Sequence, residues 1–205
     1  MESENFLLTI ALIAVVISAF GLGFTYTTLD NFRENWLTGF VTSTGTVNVT
    51  VATSAAINFT TNNINWGSGT ISNNSLFSIL DTSAGSVTNG TWTPVSNGFI
   101  IENYGNVNVT LELKTSNDAA GFIGGTSPGY KFNITNSEAD SCTAGGVTLG
   151  EWVDVNTTSP GTLVCNPLNF LDSLDTVKVD IQLTIPYDSL KDTLSSTMTA
   201  TATAI

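Results

Sequence analysis

The residues able to do chemistry in this chain are few. Histidine is absent, which removes the commonest general base and the commonest zinc or copper ligand. Carboxylates lie close in sequence at Glu138 and Asp140, Glu151 and Asp154, and Asp172 and Asp175. Two carboxyl groups hydrolyse a glycosidic bond when they face each other across a cleft and one has a raised pKa. Spacing alone supplies neither condition, and Asp172 to Asp175 reads as a turn entering a strand, where Asp is favoured for its local backbone hydrogen bonds. None of the pairs forms the alternating D-x-[DN]-x-[DN]-G series of a calcium loop. G-x-S-x-G, P-loop and dinucleotide fingerprints do not occur, so neither an enzyme nor a cofactor or metal is expected.

Two residue classes do carry a covalent expectation. Cys142 and Cys165 are the only cysteines and belong to no C-x-x-C pattern. They form either a disulfide or two buried thiols; a disulfide is the expectation, and it implies an oxidising, extracytoplasmic compartment. The second class is the N-x-[ST] triplet, which begins at Asn48, Asn58, Asn73, Asn89, Asn108, Asn133 and Asn156. Asn, Ser and Thr are so common here that several triplets arise by chance. Asn48, Asn108 and Asn133 nevertheless fall on the polar side of alternating segments, where a glycan would project into solvent. At least three of the seven are expected to carry N-linked sugar in an exported chain.

Composition narrows the partners. Only 11% of the 205 residues are charged and the net charge is −12, with Arg33, Lys114, Lys131, Lys178 and Lys191 as the basic residues. Five scattered cations cannot neutralise a run of phosphates, so nucleic acid is excluded as a partner. The same acidity repels an anionic membrane surface, so any membrane attachment must be apolar. Apolar residues reach 41% and alternate regularly, which a disordered chain does not do.

Two kinds of element must position these residues. From Phe6 to Phe24 the segment FLLTIALIAVVISAFGLGF holds no charge, and Thr9 and Ser18 are its polar members. It predicts a helix apolar on every face, about as long as a hydrocarbon core is thick. Phe6, Leu7, Ile10, Ile13, Val16, Ile17, Phe20 and Phe24 are its candidate packing residues. A cleaved secretory signal fits poorly, because a basic n-region and a small-x-small site are both lacking. The pattern then turns amphipathic, with Tyr26, Leu29, Phe32 or Arg33, Trp36 and Leu37 at helical spacing. The helix is expected to reach Leu37, with a kink or unwinding at Gly21 or Gly23 and a stop at Gly39. Residues 1–40 form one expected unit and 41–205 the other. Glu2 and Glu4 give no positive-inside signal, so orientation follows either from removal of a short basic leader before Met1 or from other means.

From Gly45 the hydrophobic period becomes two. TVNVTV, YKFNIT, NVTLELK, VKVDIQLTI and the terminal MTATATAI each alternate apolar and polar residues, which predicts half-buried strands. In VKVDIQLTI the dry face is Val177, Val179, Ile181, Leu183 and Ile185, and the wet face is Lys178, Asp180, Gln182 and Thr184. Turn pairs at 67–69, 89–90, 97–98, 124–125, 128–129, 145–146 and 160–161 separate strand-sized runs. Together they predict a mainly β, antiparallel, immunoglobulin-like sandwich of seven to nine strands. Phe59, Trp66, Phe77, Trp92, Phe99, Tyr130, Phe132, Trp152 and Phe170 are expected to fill its core.

An apolar helix near the start followed by a Thr/Asn-rich β-domain resembles the architecture of archaeal type IV pilin-like surface filament proteins, the adhesion pilins and archaellins. The segment NGFIIENYGNVNVTLEL, Asn97 to Leu113, also resembles strand–turn–strand units of archaeal surface sandwiches. That resemblance implies an extracellular homo-polymer held by its helices, lodged in the membrane before assembly, with glycosylated β-domains as outer sheath. Two other expectations stay open: a membrane-anchored surface or coat glycoprotein, and a filament assembled by strand exchange through Gly45 to Val51 or MTATATAI.

Overall fold

The computed structural model describes residues 9–23 and 46–205. The chain divides into two compact units, Met1–Thr50 and Val51–Ile205. In the first, residues 9–23 form helix α1. Gly21 and Gly23 are both helical, so the unwinding expected there is not found within this span. The expected amphipathic continuation through Tyr26, Leu29, Phe32, Arg33, Trp36 and Leu37, and the stop at Gly39, lie outside the described residues, as do Phe6, Leu7 and Phe24.

The second unit is mainly β. Its strands are β1 (Asn58–Thr61), β2 (Phe77–Asp81), β3 (Ser86–Thr88), β4 (Phe99–Glu102), β5 (Val109–Thr115), β6 (Gly129–Asn136), β7 (Cys142–Ala144), β8 (Val153–Asp154), β9 (Thr162–Leu168), β10 (Thr176–Pro186) and β11 (Met198–Ala204). One short helix, α2 (Ala119–Phe122), follows β5. Eleven strands replace the expected seven to nine, because short runs such as β3, β7 and β8 carry too few residues to show a period.

All strand pairings are antiparallel and make two sheets. β10 is the spine of the larger sheet. Its first residues pair with β4 and its last with β2 on one side, while β6 runs along the other. β1 extends β4, β3 extends β2 and β8 extends β6. The smaller sheet has the order β11-β5-β9-β7.

Alternation explains why the sheets share one core. In β5 every second residue is buried, giving Val109, Leu111, Leu113 and Thr115. In β10, Val177, Val179, Ile181 and Leu183 are buried as expected. The apolar residues among these join Leu80, Ile101, Phe132, Ile134, Val164 and Leu168 in a single cluster drawn from both sheets. A fully buried side chain of this kind contributes about 1.5–3 kcal/mol relative to exposure.

Three expectations need correction. The core is mostly aliphatic: of the nine aromatics expected to fill it, only Tyr130 and Phe132 are fully buried. Phe59, Trp66, Trp92 and Phe99 pack half-buried at its rim, Trp152 is half-buried, and Phe77 and Phe170 are exposed. Second, the polar face of β10 is not wholly wet. Asp180 is buried, accepting from the Thr82 hydroxyl at 2.8 Å and pairing with Lys178 Nζ at 2.9 Å. Gly98 closes over it so tightly that an added Cβ would lie 2.6 Å from Val179 O. Third, residues 46–51 make no strand, although their alternation equals that of β5. A strand needs a partner as well as a pattern, and Val47, Val49 and Val51 are 93%, 84% and 77% exposed.

Candidate assembly and glycosylation sites

Helix α1 is apolar apart from Thr9 and Ser18; Ala11, Leu12, Ala14, Ala19 and Leu22 are its strong helix formers, and Ile10, Ile13, Val15, Val16 and Ile17 are weaker ones. Ser18 donates its hydroxyl to Ala14 O at 2.8 Å, returning its polarity to the helix backbone. Every residue of α1 is exposed. Ile10, Leu12, Ile13, Val15, Val16, Ile17, Phe20 and Leu22 are 46–78% open; at 3.6 residues per turn they cover about two thirds of the helix circumference, and the small residues Ala11, Ala14, Ser18 and Gly21 take the rest. Amphipathic helices carry an apolar stripe opposite a polar face; α1 has no charged residue on any face. The described span of 15 residues is about 22 Å long, and among the described residues no helix is long and apolar enough to cross a membrane.

Cys142 and Cys165 form the expected disulfide, with Cα atoms 5.3 Å apart. It ties the outer strand β7 to β9. Cys142 stands opposite Leu168 and Cys165 opposite Ala144, so the bridge crosses the pair diagonally. Both cysteines are buried.

The seven sequons separate by exposure. Asn48, Asn58, Asn73 and Asn89 are exposed, and Asn108 and Asn156 are half-buried. Asn156 Oδ1 accepts from Thr158 N–H at 2.8 Å, closing a local turn. Asn133, expected on a solvent face of its strand, is buried instead. The turn before β8 covers it: Asn133 Nδ2 donates to Gly150 O at 3.2 Å, and Gly150 N–H donates to Ile134 O. A glycan on that nitrogen has no room in the folded domain. Period two assigns a face but not what later folds over it.

The acidic pairs take structural positions. Glu138 Oε2 accepts from Asp175 N–H at 2.9 Å and Thr176 N–H at 3.2 Å, tying the β6–β7 turn to the start of β10. Burial pushes the Asp175 carboxyl above its ordinary range; the Thr176 hydroxyl lowers it, and the charges of Glu138 and Asp172 add to the rise. Asp188 is held below its ordinary value by the backbone N–H and hydroxyl of Thr126. Burial also raises the Tyr130 hydroxyl. Among the described residues no three of the His, Cys, Asp or Glu groups come close enough to hold a metal ion.

A cavity of about 1140 Å³ opens between residues 63–75 and 187–196, with Leu80, Ile181, Leu183 and Ile185 on its floor and Trp66 and Trp92 in its wall. Trp66 Nε1–H is buried without a protein acceptor. Sequence reading missed this recess, and its only signal there was a pair of tryptophans among turn residues. It also missed Asn103, fully buried between β4 and β5, whose Nδ2 donates to Val107 O, Leu168 O and Asn169 O. Asn is common in every loop here, so nothing marked this one. The chain matches no known family, no curated protein and no solved structure.

Proposed function

We propose that this chain is a structural subunit of an extracellular, type IV pilus-like filament, in which α1 and its flanking residues pack into the core and the β-domains form a glycosylated sheath. In that reading the two sheets are an immunoglobulin-like sandwich, and the chain is lodged in the membrane before it polymerises. The single observation that carries the proposal is the uncovered helix. Eight large apolar side chains of α1 are exposed, and in water that surface is stable only when other apolar surface covers it. Identical helices supply such cover, and a heterologous contact repeated between copies makes an open helical polymer. The low charge, the disulfide and the four exposed sequons support a surface location.

Substituting Ile13→Asp together with Ile17→Asp in the full chain tests this. Sedimentation and electron imaging of the wild type are expected to show fibres, and the double variant none, while the β-domain keeps its thermal transition. Wild-type chains that remain detergent-dependent monomers would instead establish a membrane-anchored surface glycoprotein. Fibres from the double variant would overturn the helix-core reading outright.

A further inference from the structure

The two sheets have five edge strands among the described residues, and four of them are short: β1 has 4 residues, β3 and β7 have 3 each and β8 has 2. β11 is the exception, with 7 residues, MTATATA, in unbroken register with β5. Natural sheets guard long edges with charge, proline, a bulge or a covering loop. β11 has neither a charged residue nor a proline, and its pairing shows no register shift.

The direction of its free peptide groups follows from two bonds. Ser116 N–H donates to Thr197 O at 2.9 Å and Ile205 N–H donates to Asn108 O at 3.1 Å. Both pairs lie on the register that sets Met198 opposite Thr115 and Ala204 opposite Val109. In an antiparallel ladder, bonded and non-bonded pairs alternate. Thr197, Thr199, Thr201, Thr203 and Ile205 therefore turn their peptide groups to β5. Met198, Ala200, Ala202 and Ala204 turn theirs to the open edge. Met198 is buried, and Ala200 and Ala202 pack against the core, so the core-facing side of this edge is lined by small, half-exposed side chains.

We infer that residues 46–51 of a second copy add to this edge as an antiparallel strand. The segment TVNVTV is uncharged, which matters between two chains of net charge −12. Its length is close to that of β11. Its period places Val47, Val49 and Val51 on one face and Thr46, Asn48 and Thr50 on the other. Added to β11, the valines continue the apolar face beside Ala200 and Ala202, and the polar residues align with Thr199, Thr201 and Thr203. A register slip by one residue would turn all three valines to water, so the apolar face fixes the alignment. The sequon at Asn48 falls on the outer side, where a glycan does not obstruct pairing. Main-chain bonds give such an addition its cohesion and alternate side chains its selectivity.

The segment's own domain is a poorer acceptor. Asn106 anchors the chain just after it, donating to Ala52 O at 2.9 Å and accepting from Ser54 N–H at 2.7 Å. Asn108, two residues on, bonds to Ile205 at the end of β11. A return onto the same β11 would then run parallel to it, in a domain whose pairings are all antiparallel.

This deepens the filament reading by naming a second contact between copies, and it rests on that reading for bringing the copies together. The test uses full chains carrying Val49→Cys with either Ala200→Cys or Ala202→Cys, with light and heavy isotope-labelled chains mixed before assembly. Mass analysis of cross-linked peptides is expected to find position 49 joined to position 200 or 202 in species of mixed isotopic mass. Ala202→Pro, which removes an outward N–H but no bond to β5, is expected to lower cross-linking through Ala200→Cys at least roughly tenfold. Assembled mass, followed separately by sedimentation, reports the helix contact on its own. Absence of the cross-link in assembled chains, or cross-links of unmixed mass only, would overturn strand addition while leaving helix packing intact; failure to assemble at all, with the β-domain folded, would sink both. Loss of the thermal transition in a cysteine variant directs the test to Ala202→Pro in the otherwise wild-type chain, where unchanged assembled mass and unchanged hydrogen-exchange protection of residues 46–51 would overturn the inference.

Discussion

Helix α1 and strand β10 are both rich in aliphatic residues, yet they meet opposite fates. Val177, Val179, Ile181 and Leu183 of β10 disappear into a core closed by two sheets, whereas every residue of α1 stands exposed. The difference lies in pattern. Period two gives β10 a dry and a wet face, so one chain can satisfy it. Apolar residues all round α1 leave no wet face, so a single copy cannot. The β-domain is a problem solved within the chain, and α1 is one left for other surfaces to solve.

A single substitution in each region separates the two most sharply. Val16→Asp in α1 is expected to abolish fibres without moving the thermal transition of the β-domain, as read by imaging and circular dichroism. A small truncation in the core does the reverse. Leu111→Ala removes a fully buried side chain and is expected to cost about 3–5 kcal/mol by urea unfolding, with assembly retained wherever the domain remains folded. The disulfide gives the next largest effect. Replacing Cys142 and Cys165 together by serine is expected to lower stability by about 3 kcal/mol, since the bridge closes a loop of 23 residues in the unfolded chain.

The polar framework should respond less. Asp180→Ala strands the Thr82 hydroxyl and Lys178 and is expected to cost about 2–3 kcal/mol. Asp175 affects the pH profile more than the midpoint. Its carboxyl is raised in the folded state, so its contribution to stability is fully present below the unfolded pKa and lost as pH rises through the folded one. Asp175→Asn should therefore stabilise the domain at neutral pH and flatten the arm of the curve just above the ordinary carboxylate range. An unchanged pH profile would contradict that assignment. Asp188, lowered by Thr126, acts in the opposite sense and loses its contribution as pH falls.

Much of this was legible in residue order. The alternations in β5, β6, β10 and β11 named those strands because each has seven or more residues that alternate; β9 is as long as β5, but TLVCNPL shows no period. The cysteines were legible as a disulfide or as two buried thiols, and the bridge favoured beside the sequons is the one that forms. Pattern failed where a third element intervenes. Asn133 and Asp180 sit on faces that read as wet, and only the turn at Gly150 and the close approach of Gly98 cover them. It failed also at residues 46–51, whose valines alternate like Val109, Leu111 and Leu113 of β5 but find no strand partner among the described residues. The exposed sequons offer a modest check on the same lesson. Glycopeptide mapping is expected to find sugar among Asn48, Asn58, Asn73 and Asn89 and none on Asn133.

Helical reconstruction of the chain's native surface assemblies from cryo-electron images tests the central claim most directly. Residues 9–23 of neighbouring copies packed together along the axis, with the β-domains outermost, is the predicted arrangement. Helices seated in lipid around isolated β-domains would contradict it, as would fibres in which these residues touch no neighbour.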